Sequence, residues 1–172
     1  GSDSSFTHNH SALLAGNYPS ALIVAVGNVQ GCLSPVVEKR GSNMAGLITM
    51  DDLSNDEIQS IQEDAERLLP VAEGKIYLPL LQGKILGNLF FEPSTRTRMS
   101  FETAMKRLGG DVVNLGDVKT SSVVKGETLF DTIQMVDGYT DIIAMRHPRQ
   151  GAAQYAQDAA RVPILNGGDG AG

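Results

Sequence analysis

The sequence predicts an α/β protein: a doubly wound parallel sheet of about four strands flanked by helices, with an N-terminal extension. Three observations predict it. Short apolar runs near residues 85–91, 111–115, 141–145 and 162–165 alternate with stretches of helical period, and that alternation calls for parallel strands joined by right-handed crossovers. Glycine, proline and polar residues punctuate the runs. Hydroxyl, basic and glycine-rich segments follow each run, which puts them at the carboxyl ends of the strands, where such sheets bind ligands.

Residues 1–45 read as a flexible extension. Gly1-Ser2 looks like a cloning scar and is set aside. Ala21 to Val26 is apolar enough for a strand but isolated between Pro19 and Gly27. His8 and His10 lack the cysteine or acidic partners of a metal site. Pro35, Gly41, Ser42 and Asn43 suggest a linker, after which residues 46–172 form the domain. The serine content admits an organelle-targeting remnant, but arginine is nearly absent.

Ser54-Asn55-Asp56-Glu57 is a capping box, followed by Ile58, Ile61, Ala65 and Leu68 at helical spacing, with Pro70 beyond the end. Residues 74–81 are ambiguous, and Pro79 favours a loop. Ile85 to Phe91 is a buried strand. Pro93 ends it by biasing Glu92 towards extended backbone, and Ser94 is placed as the N-cap of the next helix. Met99, Ala104, Met105 and Leu108 supply that helix with its apolar period, and Gly109-Gly110 stops it. Asp111 to Leu115 is the second strand and residues 116–125 a polar loop. A helix over 127–136 carries Leu129, Ile133 and Val136 on one face. Asp141 to Met145 is the third strand, ending at Arg146-His147. A small-residue helix over 151–160 leads to a fourth strand, Val162 to Leu165, which runs into Asn166-Gly167-Gly168.

The helix beginning Ser94-Thr95-Arg96-Thr97-Arg98 gathers hydroxyls, two guanidiniums and free first-turn amides at the positive end of the macrodipole. An ordinary cap followed by a solvated basic turn is the competing reading. Cations are disfavoured at that helix end, so the two arginines point to an anionic guest such as phosphate. Arg98 and Glu102 stand four apart and can pair, which suits a structural role for Arg98.

These residues also carry a resemblance. Phe91-Glu92-Pro93-Ser94-Thr95-Arg96-Thr97-Arg98-Met99-Ser100-Phe101-Glu102 closely resembles the carbamoyl-phosphate signature of the aspartate and ornithine carbamoyltransferases. The likeness continues through Leu108-Gly109-Gly110, Ser121-Ser122-Val123-Val124-Lys125-Gly126-Glu127, Met145-Arg146-His147-Pro148 and Asn166-Gly167-Gly168-Asp169-Gly170. It implies that Ser94, Thr95, Arg96 and Thr97 bind the phosphate of carbamoyl phosphate. Thr97 and Arg146 resemble the groups that polarise the carbamoyl carbonyl, and Arg146 can also reach the phosphate. A surface ion pair is the competing role for Arg146. His147 is implied to be a structural neighbour without chemistry. Ser121 and Lys125 resemble residues that enter the neighbouring subunit's site, which implies a homotrimer with shared sites; otherwise Lys125 is a solvated lysine on a loop.

The reaction implied is transfer of the carbamoyl group to the amine of L-aspartate in pyrimidine biosynthesis, without a covalent enzyme intermediate, cofactor or metal. Pro93, Lys125 in its Lys-Gly-Glu block and Arg146-His147-Pro148 favour the aspartate enzyme over the ornithine enzyme. A non-catalytic anion-binding or assembly module derived from the family is the third reading. Family members continue beyond the position of Gly172 into a His-Pro-Thr-Gln block and an amino-acid-binding domain, so aspartate is expected to bind only with that second domain. The 172 residues alone are expected to be inactive. A regulatory chain is a further partner that the resemblance admits.

Composition agrees. Apolar residues make up 41% and charged residues 20%, ordinary for a globular domain. A net charge of −6 disfavours nucleic acid as a partner, so any anion site must be locally basic. Cys32 stands alone and cannot form an internal disulfide, which fits a reducing, cytoplasmic setting. No apolar run reaches membrane-spanning length, and no Cys/His/Asp cluster has metal-ligand spacing.

Overall fold

A computed structural model describes residues 46–115 and 128–170. Four strands, β1 (Ile85–Phe90), β2 (Asp111–Leu115), β3 (Ile142–His147) and β4 (Ile164–Asp169), form one parallel sheet in the order β2-β1-β3-β4. The described helices are α1 (Asn55–Arg67), α2 (Leu69–Ala72), α3 (Thr95–Arg107), α4 (Leu129–Asp137) and α5 (Ala152–Ala159), with a 3-10 turn at Met50–Asp52. The chain leaves β1 for one edge of the sheet and then crosses back to build the other. Helices therefore cover both faces, which is the doubly wound arrangement expected.

Alternation along each strand sorts the core into two layers. Leu86 and Phe90 of β1 and Ile142 and Ala144 of β3 pack with α1, α2 and the Phe101, Ala104, Met105 and Leu108 face of α3. Leu89, Ile143 and Met145 point the other way, against Ile133 and Val136 of α4 and the alanines of α5. Met99 does not join the first layer; it is 57% exposed, and Phe101 takes the core position instead. Two residues on a helix lie about 200° apart, so the two cannot share a face.

The capping box at Ser54 and Glu57 forms as expected, and an equivalent box at Thr128 and Asp131 starts α4. Pro70 does more than follow α1: it occupies the first turn of α2, where its missing N–H costs nothing. Residues 73–84 hold no regular element. The third strand begins one residue later than expected and includes Arg146 and His147, while the fourth lies further on, at Ile164–Asp169. Asp141 is a connector whose carboxylate accepts from the Ile85 amide (2.9 Å) and Lys84 Nζ (3.0 Å), tying β3 to β1 at their amino ends.

At the β4 edge, Leu47 makes an isolated parallel bridge to Leu165. Its amide donates to the Ile164 carbonyl and its carbonyl accepts from the Asn166 amide, both at 2.9 Å. Gly46 permits this approach, since a Cβ there would lie 2.2 Å from the Ile164 carbonyl oxygen. The readings that fall in residues 1–45 (the extension, His8, His10, Cys32) and the Ser121 and Lys125 segment lie outside the described residues. No helix among the described residues is long and apolar enough to cross a membrane.

Candidate functional site

The carboxyl ends of β1, β3 and β4 define the site. Phe90 of β1 stands in register with Arg146 of β3, and the Phe91 amide donates to the Arg146 carbonyl at 2.9 Å. Arg146 continues the parity of Ile142 and Ala144, so its side chain belongs to the face that α3 covers. The turn after β1 delivers the first turn of α3 to the same edge.

Ser94 is the N-cap of α3 by position, but its hydroxyl makes no cap hydrogen bond. The expected side-chain cap is thus corrected. The physical reason is backbone geometry: ψ is 65° at Ser94, against 161° at Ser54 and Thr128, whose hydroxyls do cap. The first three N–H groups of a helix have no carbonyl partner within it. Among the described residues, none accepts from the amides of Thr95, Arg96 or Thr97, while the Arg98 amide reaches the Ser94 carbonyl at 3.0 Å. Thr95 and Arg96 are exposed, and Ser94 and Thr97 are half-buried. The turn presents these three amides without a partner among the described residues.

Arg146 is both ion-paired and placed at this edge. Its Nε donates to Glu92 Oε1 at 2.7 Å and its Nη1 to the Gly167 carbonyl at 3.1 Å. The competing ion-pair reading is thus observed, at the carboxyl end of β3. Glu92 was not singled out from sequence; it lies 54 residues from Arg146, and only the β1–β3 register joins them.

The expected Arg98–Glu102 pair does not form. Glu102 Oε1 accepts from Lys106 Nζ at 2.7 Å and its Oε2 from Asn114 Nδ2 at 3.1 Å. Lys106 lies four residues after Glu102, the favoured order for a helical acid–base pair. The Lys106 hydrogen bond, followed by that of Asn114, holds the Glu102 carboxyl below its usual range. Asn88, fully buried in β1, donates to the Arg98 carbonyl (3.2 Å) and to Asn114 Oδ1 (3.1 Å), binding α3 and β2 to the central strand.

His147 is a packing neighbour, as expected. Its ring lies 4.9 Å from that of Phe91, and its Nδ1 accepts from the Arg149 amide at 3.0 Å. Burial, then the charge of Arg149, pushes its pKa below the ordinary value. Asp169 closes the edge from β4: its Oδ2 accepts from the first-turn amides Gly151 (2.8 Å) and Ala153 (3.4 Å) of α5, whose N-cap is a glycine without a side chain. Burial works to raise the Asp169 pKa, but the Asn166 side chain and those amides outweigh it and leave the carboxyl low. No group of three or more His, Cys, Asp or Glu placed to hold a metal occurs among the described residues.

Fold and edge together define an open α/β sheet with a helix first turn and an arginine beyond the carboxyl ends of its strands. A family model described as the aspartate/ornithine carbamoyltransferase, carbamoyl-P binding domain, matches residues 46–172. The chain belongs to that family. It is 58% identical over 129 residues to the aspartate carbamoyltransferase catalytic subunit of Archaeoglobus fulgidus, covering 75% of this chain and 43% of that one. Among solved structures, it is similar to Trypanosoma cruzi aspartate transcarbamoylase in complex with carbamoyl phosphate and aspartate. The TM-score there is 0.72 at 44% identity, over 81% of this chain and 45% of that one. The M. jannaschii catalytic subunit gives a TM-score of 0.68 at 53% identity, over 73% of this chain and 42% of that one. The chain thus spans less than half the length of these relatives.

Proposed function

We propose that this domain binds carbamoyl phosphate in an aspartate carbamoyltransferase of pyrimidine biosynthesis, which passes the carbamoyl group to the amine of L-aspartate. The observation that supports this best is the open first turn of α3 at the same sheet edge as Arg146. In this reading the amides and hydroxyls of Ser94, Thr95 and Thr97 and the Arg96 guanidinium hold the phosphate. Thr97 and Arg146 face the carbamoyl oxygen, which gains charge as the amine adds to the carbon. The new N–C bond forms, the C–O bond to phosphate breaks, and the amine proton leaves to phosphate or solvent. Ser121 and Lys125 complete a neighbouring subunit's site in a homotrimer, and a regulatory chain is a further partner. Cytoplasmic location goes with this pathway role.

Calorimetry of the chain with carbamoyl phosphate tests the binding half, with saturable one-site binding expected. The acceptor half is tested by joining the chain to the downstream half of an aspartate carbamoyltransferase. Carbamoyl-aspartate is expected from aspartate and no citrulline from ornithine; the reverse would assign the ornithine enzyme. Turnover with neither, despite a folded trimer, would leave the non-catalytic module.

In this reading Glu92 tempers the affinity of the site for an anion. Its carboxylate lies 2.7 Å from Arg146 Nε and opposes an incoming anion. In Glu92→Gln the amide oxygen can still accept from Nε while the negative charge is gone. Removing one partly screened charge near the anion is worth about 0.5 to 1 kcal/mol. Glu92→Gln is therefore expected to tighten phosphate binding roughly two- to fivefold, read by the same calorimetry.

A further inference from the structure

The edge holds one polar hub that the proposed chemistry does not use. Asn166 Nδ2 donates to the Ile48 carbonyl (2.9 Å) and to Asp169 Oδ1 (3.0 Å), and its Oδ1 accepts from the Gly168 amide (2.9 Å). Asp169 in turn holds the start of α5, and the Gly170 amide donates to the His147 carbonyl at 3.1 Å. The two residues enclosed by this turn, Gly167 and Gly168, are the ones that meet Arg146. Gly167 offers its carbonyl to Nη1, and Gly168 (φ 121°) lies so close that a Cβ there would stand 2.9 Å from Nη1 and 3.2 Å from Cζ.

We infer that Asn166 is a positioning residue for Arg146: by closing the 166–169 turn it sets the Gly167 carbonyl and the bare Gly168 surface against the guanidinium. With Glu92 on Nε and Gly167 on Nη1, the plane of the guanidinium is set from two sides. Nη2 has no hydrogen-bond partner among the described residues. A planar fork gains most from a fixed orientation, because its donors then meet phosphate oxygens without reordering. The inference rests on the proposed reading that Arg146 contacts the ligand.

The experiment is a double-mutant cycle on inorganic phosphate affinity, measured calorimetrically in the wild-type chain, Asn166→Ala, Arg146→Ala and the double variant. Asn166→Ala is expected to weaken phosphate about tenfold when Arg146 is present, the worth of about one hydrogen bond. In the Arg146→Ala background it is expected to change affinity less than twofold. Equal losses in both backgrounds would make Asn166 a general support of the edge and overturn the inference. So would no loss beside a working Arg146. If Arg146→Ala itself left affinity unchanged, the proposed binding reading would fail instead, a result distinct from both. Should Asn166→Ala not fold, Asn166→Asp takes its place in the cycle. It keeps the acceptor for the Gly168 amide and loses the donors to Ile48 and Asp169, and the same coupling to Arg146 is expected.

Discussion

Replacing Arg96 and Arg146 together by alanine is expected to lower the affinity for carbamoyl phosphate by about two to four orders of magnitude. Each guanidinium stands to make a charge-assisted contact worth about 1.5 to 3 kcal/mol. They reach the edge from different elements, the first turn of α3 and the end of β3, so the losses should nearly add. Arg96 is exposed and Arg146 is tied down by Glu92 and Gly167, so Arg96→Ala alone should cost the smaller share. Neither side chain belongs to the core, and the melting temperature should hold within a few degrees. Calorimetry beside a thermal melt reads both quantities. Unchanged affinity in the folded double variant would remove the anion site from this edge.

The second large effect concerns stability. Asp137, at the end of α4, has a side chain only 1% exposed. It accepts from the Arg161 amide (2.7 Å), the Val162 amide (2.9 Å) and Arg161 Nε (2.7 Å), fastening α4 to the connection that enters β4. Asp137→Ala leaves two backbone donors near the interior without a partner, at about 1 to 3 kcal/mol each. We expect a loss of about 3 to 5 kcal/mol, a large part of a typical domain's 5–15 kcal/mol. In a chain of this size that is a fall in melting temperature of roughly 6 to 20 °C.

The pH dependence gives the same group a signature. Burial alone would raise the Asp137 pKa, but the Val162 amide and the Arg161 side chain and amide outweigh it, and the folded-state value lies below the ordinary 3.8. A depressed carboxyl contributes stability that is present above its unfolded pKa of about 4 and is lost as pH falls through the folded value. The difference between wild type and Asp137→Asn should therefore be full at pH 7 and shrink below about pH 4. Urea unfolding at several pH values measures it. A difference that stays constant down to pH 2.5 would assign Asp137 a packing role without charge.

What was legible in the sequence was local. The apolar runs of β1 and β2 and the capping box at Ser54 and Glu57 each depend on residues a few positions apart, and the structure keeps them. The start of α3 after Ser94 was legible for the same reason, since its amides and hydroxyls belong to consecutive residues. The errors at α3 arose where a local option met a tertiary competitor. Glu102 is within reach of Arg98 by spacing, yet Lys106 and Asn114 take both its oxygens, and Asn114 is brought there by β2 pairing with β1. Ser94 had the residue type of a cap, but the turn leaving the sheet fixes its ψ at 65° and turns the hydroxyl from that task.

By itself the sequence determined the fold class, the strand–helix order, the family, and which segments lie at the carboxyl edge of the sheet. Only the tertiary structure decided that Glu92 holds Arg146, that Asn166 and Asp169 lock the turn against it, and that Asp137 fastens α4 to the entry of β4. Periodicity and capping are written in neighbours along the chain. The Glu92–Arg146 and Asp137–Arg161 contacts, and the approach of the 166–169 turn to Arg146, join groups set side by side by strand register and helix packing, and residue spacing carries no record of either.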